Sequence, residues 1–107
     1  MIRHVRRVCF VGLLSLIVVL PALAQDAGAT FKSKCAMCHA PDGSGNSPAG
    51  KAMNVPDLKS EAVQKLSDAE LTDVITKGKN KMPAYKDKLT AAEIKGLVGY
   101  VRGLAKK

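Results

Sequence analysis

Tryptophan is missing from this sequence, and two tyrosines and two phenylalanines are its only aromatic residues. Aromatic side chains bury about 150–250 Å² each and dominate many small cores, so a conventional aromatic core is excluded. Cysteine is scarce, at Cys9, Cys35 and Cys38, which excludes a framework of several disulfides. Histidine occurs only as His4 and His39, too few for a histidine-rich metal centre. No convincing strand pattern occurs. The longest apolar run, Val8–Leu20, has 13 residues, whereas crossing the hydrocarbon core takes about 20.

What surrounds that run gives it a role. MIRHVRR carries three arginines and no acid, and Ala22-Leu23-Ala24 follows the run closely. A basic start, a short apolar stretch and an A-x-A end make a secretory signal peptide over residues 1–24, cleaved after Ala24. A retained membrane anchor is the competing reading, and the run falls short of it. Cys9 lies inside the run rather than at its end, which argues against lipid attachment.

The expected mature domain is residues 25–107, or 83 residues once 24 are removed from 107. That is one domain. A chain so short buries a small share of its surface and usually needs a staple: disulfides, a metal or a cofactor. Its aromatics are Phe31, Tyr85 and Tyr100, and its cysteines are Cys35 and Cys38. A bridge between those two cysteines would close a tiny loop and restrain the unfolded chain little. The missing stability is therefore expected from something bulky that the cysteines hold.

They stand in KCAMCHAPDGSG, a C-x-x-C followed at once by His39 and then by a glycine-rich loop. C-x-x-C-H is the attachment signature of c-type haem. Two thiols add across the two vinyl groups of the porphyrin, and the adjacent histidine is pinned beside the iron as proximal ligand. A thioredoxin-like pair would need a β-α-β setting. Structural zinc wants four ligands, and the mature chain offers two cysteines and one histidine. One covalent haem c on Cys35 and Cys38, with His39 on the iron, is the expectation.

The second axial position decides the chemistry. His4 leaves with the leader, so a second histidine from the same chain is excluded. Met37 lies too close to the attachment point. Met82, in KGKNKMPAY, sits in a loop between two expected helices. Gly78 ends the preceding helix, and Pro83 biases Met82 away from helical geometry. Met82 is the expected ligand. Met53, in GKAMNVPDL, is the rival, and an open iron is the third possibility.

Helix signals frame these loops. A short helix is expected from about Asp26 to Lys34. Ser67 with Glu70, and Thr90 with Glu93, make two capping boxes. Leu71, Val74 and Ile75 follow the first box. Ile94, Leu97, Val98, Val101 and Leu104 recur at helical spacing after the second. Residues 61–66 suggest a further short helix. Residues 41–58 read as loop, rich in Gly, Pro, Asn and Ser.

Taken together, CAMCH at 35–39, KMPAY at 81–85, Phe31, Leu97 and Tyr100 resemble the class I c-type cytochromes, in the small monohaem bacterial form. The resemblance covers nearly all of residues 26–107. It implies an all-α cytochrome c fold, three to four short helices and loops around one covalent haem. It also implies that the first and last helices cross, with Phe31 against Leu97 and Tyr100 and with small Ala27 nearby. A loop proline carbonyl, Pro48 ahead of Pro41, is expected to accept the His39 ring proton. Lys51 and Asn54 are candidate propionate partners, and Arg102 is the only mature arginine.

A six-coordinate iron has no site for substrate and can only gain and lose an electron. The expected function is therefore a periplasmic single-electron carrier, not an enzyme. The alternatives are a haem enzyme or sensor should Met82 be unligated, or a dedicated electron-transfer subunit of a larger oxidoreductase. Three of the 17 basic residues lie in the leader, leaving 14 against 9 acids, a net charge of +5 before the propionates. Lys77, Lys79, Lys81, Lys86 and Lys88 flank Met82. They suggest a basic rim that steers encounter with acidic docking surfaces on redox proteins: a dehydrogenase, an oxidase or a membrane complex. A monomer that meets the membrane only through partners is expected, and nucleic acid is not an expected partner.

Overall fold

A computed structural model describes residues 12–17 and 22–107 of the chain. The expected leader, residues 1–24, therefore lies mostly outside the described residues. Residues 12–17 have no regular secondary structure, and Leu13, Leu14, Leu16 and Ile17 are exposed. Among the described residues no helix is long and apolar enough to cross a membrane.

The described architecture is helical. Helix α1 (Ala22–Thr30) runs without a break into a π-helical segment, Phe31–Cys35, and then into α2 (Ala36–His39). Three short-to-medium helices follow: α3 (Pro48–Ala52), α4 (Glu61–Gln64) and α5 (Asp68–Lys77). The 14-residue α6 (Ala91–Leu104) closes the fold. The expected first helix thus continues past Lys34, to His39. The expected loop 41–58 contains α3, whose start is set by Ser47 as N-cap and Pro48 at the first turn.

The capping boxes form as the sequence implies. Ser67 accepts from the Glu70 N–H and Glu70 accepts from the Ser67 N–H, each at 3.1 Å. Thr90 and Glu93 repeat the arrangement at 3.0 and 3.1 Å. Each box satisfies two N–H groups that a helix start leaves orphaned. Ser60 caps α4 through the Val63 N–H.

The core lies between α1, α5 and α6. Ile94, Leu97, Val98, Val101 and Leu104 are all buried on one face of α6, joined by Phe31, Leu58, Val63, Leu71 and Leu89. Phe31 is the most deeply buried large side chain and stands 4.9 Å from Tyr100, ring centre to ring centre. Small residues let the helices approach here. Ala27 is buried, and a β-carbon on Gly28 would already touch the Tyr100 ring.

Arg102 joins α6 to the α4–α5 junction. Its guanidinium donates to Asp68 Oδ1 at 3.0 Å, to the Gln64 carbonyl at 2.8 Å and to the Leu66 carbonyl. Gln64 in turn donates to the carbonyls of Leu58 and Val101. Arg102 is thus a brace between helices.

Candidate functional site

The site begins at the end of the long first helix. The π-helical turn ends at Cys35, and α2 carries Cys38 and His39. Single π turns are rare and recur at functional sites. Helix α2 stops because Ala40 turns to a positive φ of 63° while buried, a conformation that costs about 1–3 kcal/mol for a residue with a β-carbon. The loop beyond it holds the turn in place. The Gly45 N–H donates to the His39 carbonyl at 2.8 Å, and the Gly43 N–H to the Ala40 carbonyl at 3.0 Å.

Ser47 gives this loop a second hold. Its hydroxyl donates to the carbonyls of Met37 and Cys38, at 2.8 and 3.0 Å, and accepts from the Gly50 N–H. One side chain thus ends α2 and starts α3. Gly50 sits so close beneath α2 that a β-carbon there would overlap the carbonyls of Cys38 and Gly45.

The opposite wall comes from the segment after α5. Gly78 ends that helix at φ 77°. Lys79 and Met82 then pair through both backbone bonds, 3.2 and 2.9 Å, around Asn80 at φ 54°. Tyr85 anchors the far end: its N–H donates to the Ile75 carbonyl at 3.0 Å, and its hydroxyl reaches the Lys34 carbonyl at 3.1 Å. Met82 therefore closes a tight turn, in a non-helical segment fixed at both ends.

A cavity of about 340 Å³ lies between these walls, within the roughly 300–1,000 Å³ typical of cofactor pockets. Cys35, Cys38, His39, Met53 and Met82 all line it, as do Phe31, Leu58, Leu71, Leu97 and Val101 from the core. No disulfide joins the two cysteines. Burial pushes the Cys35 thiol up, with Lys34 pulling the other way. Burial pulls His39 down and favours the neutral imidazole that a metal needs. Its Nδ1 is buried without a hydrogen-bond partner.

That orphaned atom corrects one expectation. Neither Pro48 nor Pro41 accepts the His39 ring proton here, since Nδ1 has no hydrogen-bond partner, and Pro48 stands in the first turn of α3 rather than in a loop. Of the candidate propionate partners, Asn54 lines the cavity, whereas Lys51 does not. The basic rim also shifts. Lys77 pairs with Asp73 at 2.9 Å, while Lys34 joins Lys79 and Lys81 in the cavity wall. Ser47, Gly50 and the hydroxyl of Tyr85 carry parts of the site that the motif reading does not include.

An apolar cavity with two cysteines, a buried neutral imidazole and thioether sulfurs fits a covalently attached haem. Relatives agree. The family model described as "Cytochrome C oxidase, cbb3-type, subunit III" matches residues 22–101. The chain belongs to this family, among the small class I c-type cytochromes. A cytochrome c6 of Rippkaea orientalis is 42% identical over 84 residues, covering 76% of this chain and 73% of that one. A cytochrome c6 of Nostoc sp. is 38% identical over 88 residues, covering 79% and 77%. A solved structure titled "KustC0563 c-type cytochrome" superposes with a TM-score of 0.67 at 32% identity, covering 74% of this chain and 96% of that one. The cytochrome therefore binds haem c covalently and is an electron carrier rather than an enzyme.

Proposed function

We propose that the cytochrome is an exported, diffusible one-electron carrier. In this reading Cys35 and Cys38 hold the haem, and His39 and Met82 are its axial ligands. One observation carries the assignment: a single apolar cavity is lined at once by Cys35, Cys38 and His39 from the first helix and by Met82 from the segment after α5. Met53 lines the same cavity but follows α3 as its C-cap, where its backbone is committed to the helix end. Met82 instead closes the turn Lys79–Met82 outside any helix, in a segment pinned by Gly78 and Tyr85.

The haem supplies reversible one-electron chemistry when bound. The chain's part is to keep that chemistry fast and confined. Anchors on both sides of Met82 resist movement of the ligand between oxidation states. The apolar wall excludes water and favours the less charged, reduced form. Lys34, Lys79 and Lys81 at the cavity, with Lys86 and Lys88 beyond Met82, offer a positive rim to acidic redox partners. The leader pattern of residues 1–24 supports work outside the cytoplasm, with cleavage after Ala24. A second reading, a dedicated subunit of a larger oxidoreductase, is favoured by the family description, which names an oxidase subunit.

Absorption spectra of the purified mature protein test the ligand set. The oxidised protein is expected to show the near-infrared methionine-to-iron charge-transfer band, and Met82→Ala to abolish it. A band that persists in Met82→Ala refutes the assignment. Electron-transfer rates that fall with rising salt for many acidic partners support a free carrier. Purification bound to one large complex supports the subunit reading.

A further inference from the structure

The Tyr85 hydroxyl spans the molecule: it belongs to the Met82 segment, yet it donates to the Lys34 carbonyl, 51 residues away in sequence, at 3.1 Å. Lys34 is the residue before Cys35 and lies within the π-helical turn. The bond therefore connects the two walls of the cavity directly. It is a crossing bond between the segment that carries Met82 and the helix that carries the attachment cysteines.

The rest of Tyr85 is fixed independently of that bond. Its N–H donates to Ile75, and its carbonyl accepts from the N–H groups of Lys88 and Leu89 at 3.0 and 2.9 Å. Lys88 Nζ stands 5.5 Å from the ring centre. The ring is half-buried in the cavity wall, and burial pushes the phenol further above its ordinary range. At working pH the phenol is thus a permanent donor, and little side-chain freedom is left to lose when it bonds. Removing the oxygen should leave the ring seated and open only the crossing bond.

We infer that the Tyr85 hydroxyl is a positioning group for the sixth iron ligand: by tying the Met82 segment to Lys34 it sets how readily Met82 leaves the cavity. This rests on the reading of Met82 as that ligand. The bond is local to one mouth of the cavity, so its loss should act on ligand release far more than on global unfolding.

The experiment uses the holoprotein and imidazole as a competing ligand. Displacement of Met82 is followed by loss of the charge-transfer band in wild type, Tyr85→Phe and Tyr100→Phe. Tyr100→Phe removes a hydroxyl elsewhere on the fold and is the matched control. Losing one hydrogen bond predicts displacement about three- to tenfold faster in Tyr85→Phe, with Tyr100→Phe at the wild-type rate. Amide hydrogen exchange at Met82 should quicken in the same variant, while the thermal midpoint moves little. Equal displacement rates in all three proteins overturn the inference, as does a Tyr85→Phe protein whose midpoint falls while its displacement rate stays put. A wild type with no charge-transfer band overturns the Met82 reading instead, so the two failures are distinguishable.

Discussion

The same substitution, glycine to alanine, is expected to have opposite signs at two positions of this fold. Gly78 stands at φ 77° and ψ 169°, a region that is essentially glycine's alone and costs other residues about 1–3 kcal/mol. A β-carbon there would lie 2.6 Å from the Met82 carbonyl oxygen, 2.9 Å from the Ala84 nitrogen and 3.0 Å from the Pro83 carbonyl carbon. These are backbone atoms and cannot rotate aside, so the Met82 segment must move. That movement endangers the paired bonds between Lys79 and Met82, each worth about 0.5–1.5 kcal/mol. Against this, alanine restricts the unfolded chain and returns about 0.4–1 kcal/mol. The balance is a loss of about 2–4 kcal/mol, or about 10–25 °C in thermal midpoint for a domain of this size. Gly99, by contrast, lies inside α6 with nothing within 4 Å of its would-be β-carbon. Gly99→Ala should gain about 0.5–1 kcal/mol, or about 3–6 °C. Thermal unfolding followed by circular dichroism reads both, and the charge-transfer band reads whether Met82 has moved. A Gly78→Ala protein that unfolds at the wild-type temperature with its band intact would refute the claim that this glycine seats the Met82 segment.

Two further predictions concern the helix junctions. Arg102→Leu should cost about 2–4 kcal/mol in chemical denaturation, because it strips donors from the carbonyls of Gln64 and Leu66. Asp68→Ala should cost less than about 1 kcal/mol, since the Asp68 side chain is 75% exposed. Similar losses in the two variants would mean that the ion pair, not the carbonyl clamp, holds the junction. Bonds from Thr90 lower the Glu93 carboxyl from its ordinary 4.5, so its contribution is present above that pH and is lost as pH falls through the lowered value. Glu93→Gln should therefore differ from wild type at neutral pH and converge with it in acid. A difference that stays constant through the acid range would contradict this.

The parts of the molecule legible in the sequence are those with local causes. Both capping boxes, the apolar face of α6 and the stop at Gly78 each depend on residues within one or two turns, so spacing alone reveals them. The Met-Pro pair and the C-x-x-C-H motif likewise carry their geometry in adjacent residues. Helix α3 had a local cause too, Ser47 before Pro48, but the density of glycine and proline around it reads as loop. What stays hidden has its cause far along the chain. Nothing near Tyr85 announces Lys34 as its acceptor. A proline acceptor for the His39 ring proton is implied by resemblance alone, and Nδ1 is left without a partner.

The cavity also bears on how the fold exists at all. Phe31, Leu58, Val63, Leu71, Leu89, Leu97 and Val101 belong to the buried core and also line the cavity, so the inner surface of the core is the wall of the site. Cavities in apolar cores cost about 24 cal/mol per Å³. Domains have about 0.05–0.15 kcal/mol of stability per residue, or about 4–12 kcal/mol for a chain of this size. That margin is small, and no disulfide among the described residues and no tryptophan in the sequence widens it. Attachment of the haem is therefore expected to be a folding event. The double variant Cys35→Ala/Cys38→Ala, which retains His39 and Met82, should accumulate little stable holoprotein. Purified without haem, it should show weak helical circular dichroism and no cooperative thermal transition. A haem-free double variant with full helical signal and a sharp transition would show that the apolar walls close on each other unaided, and the haem would then be a passenger in a fold that does not need it.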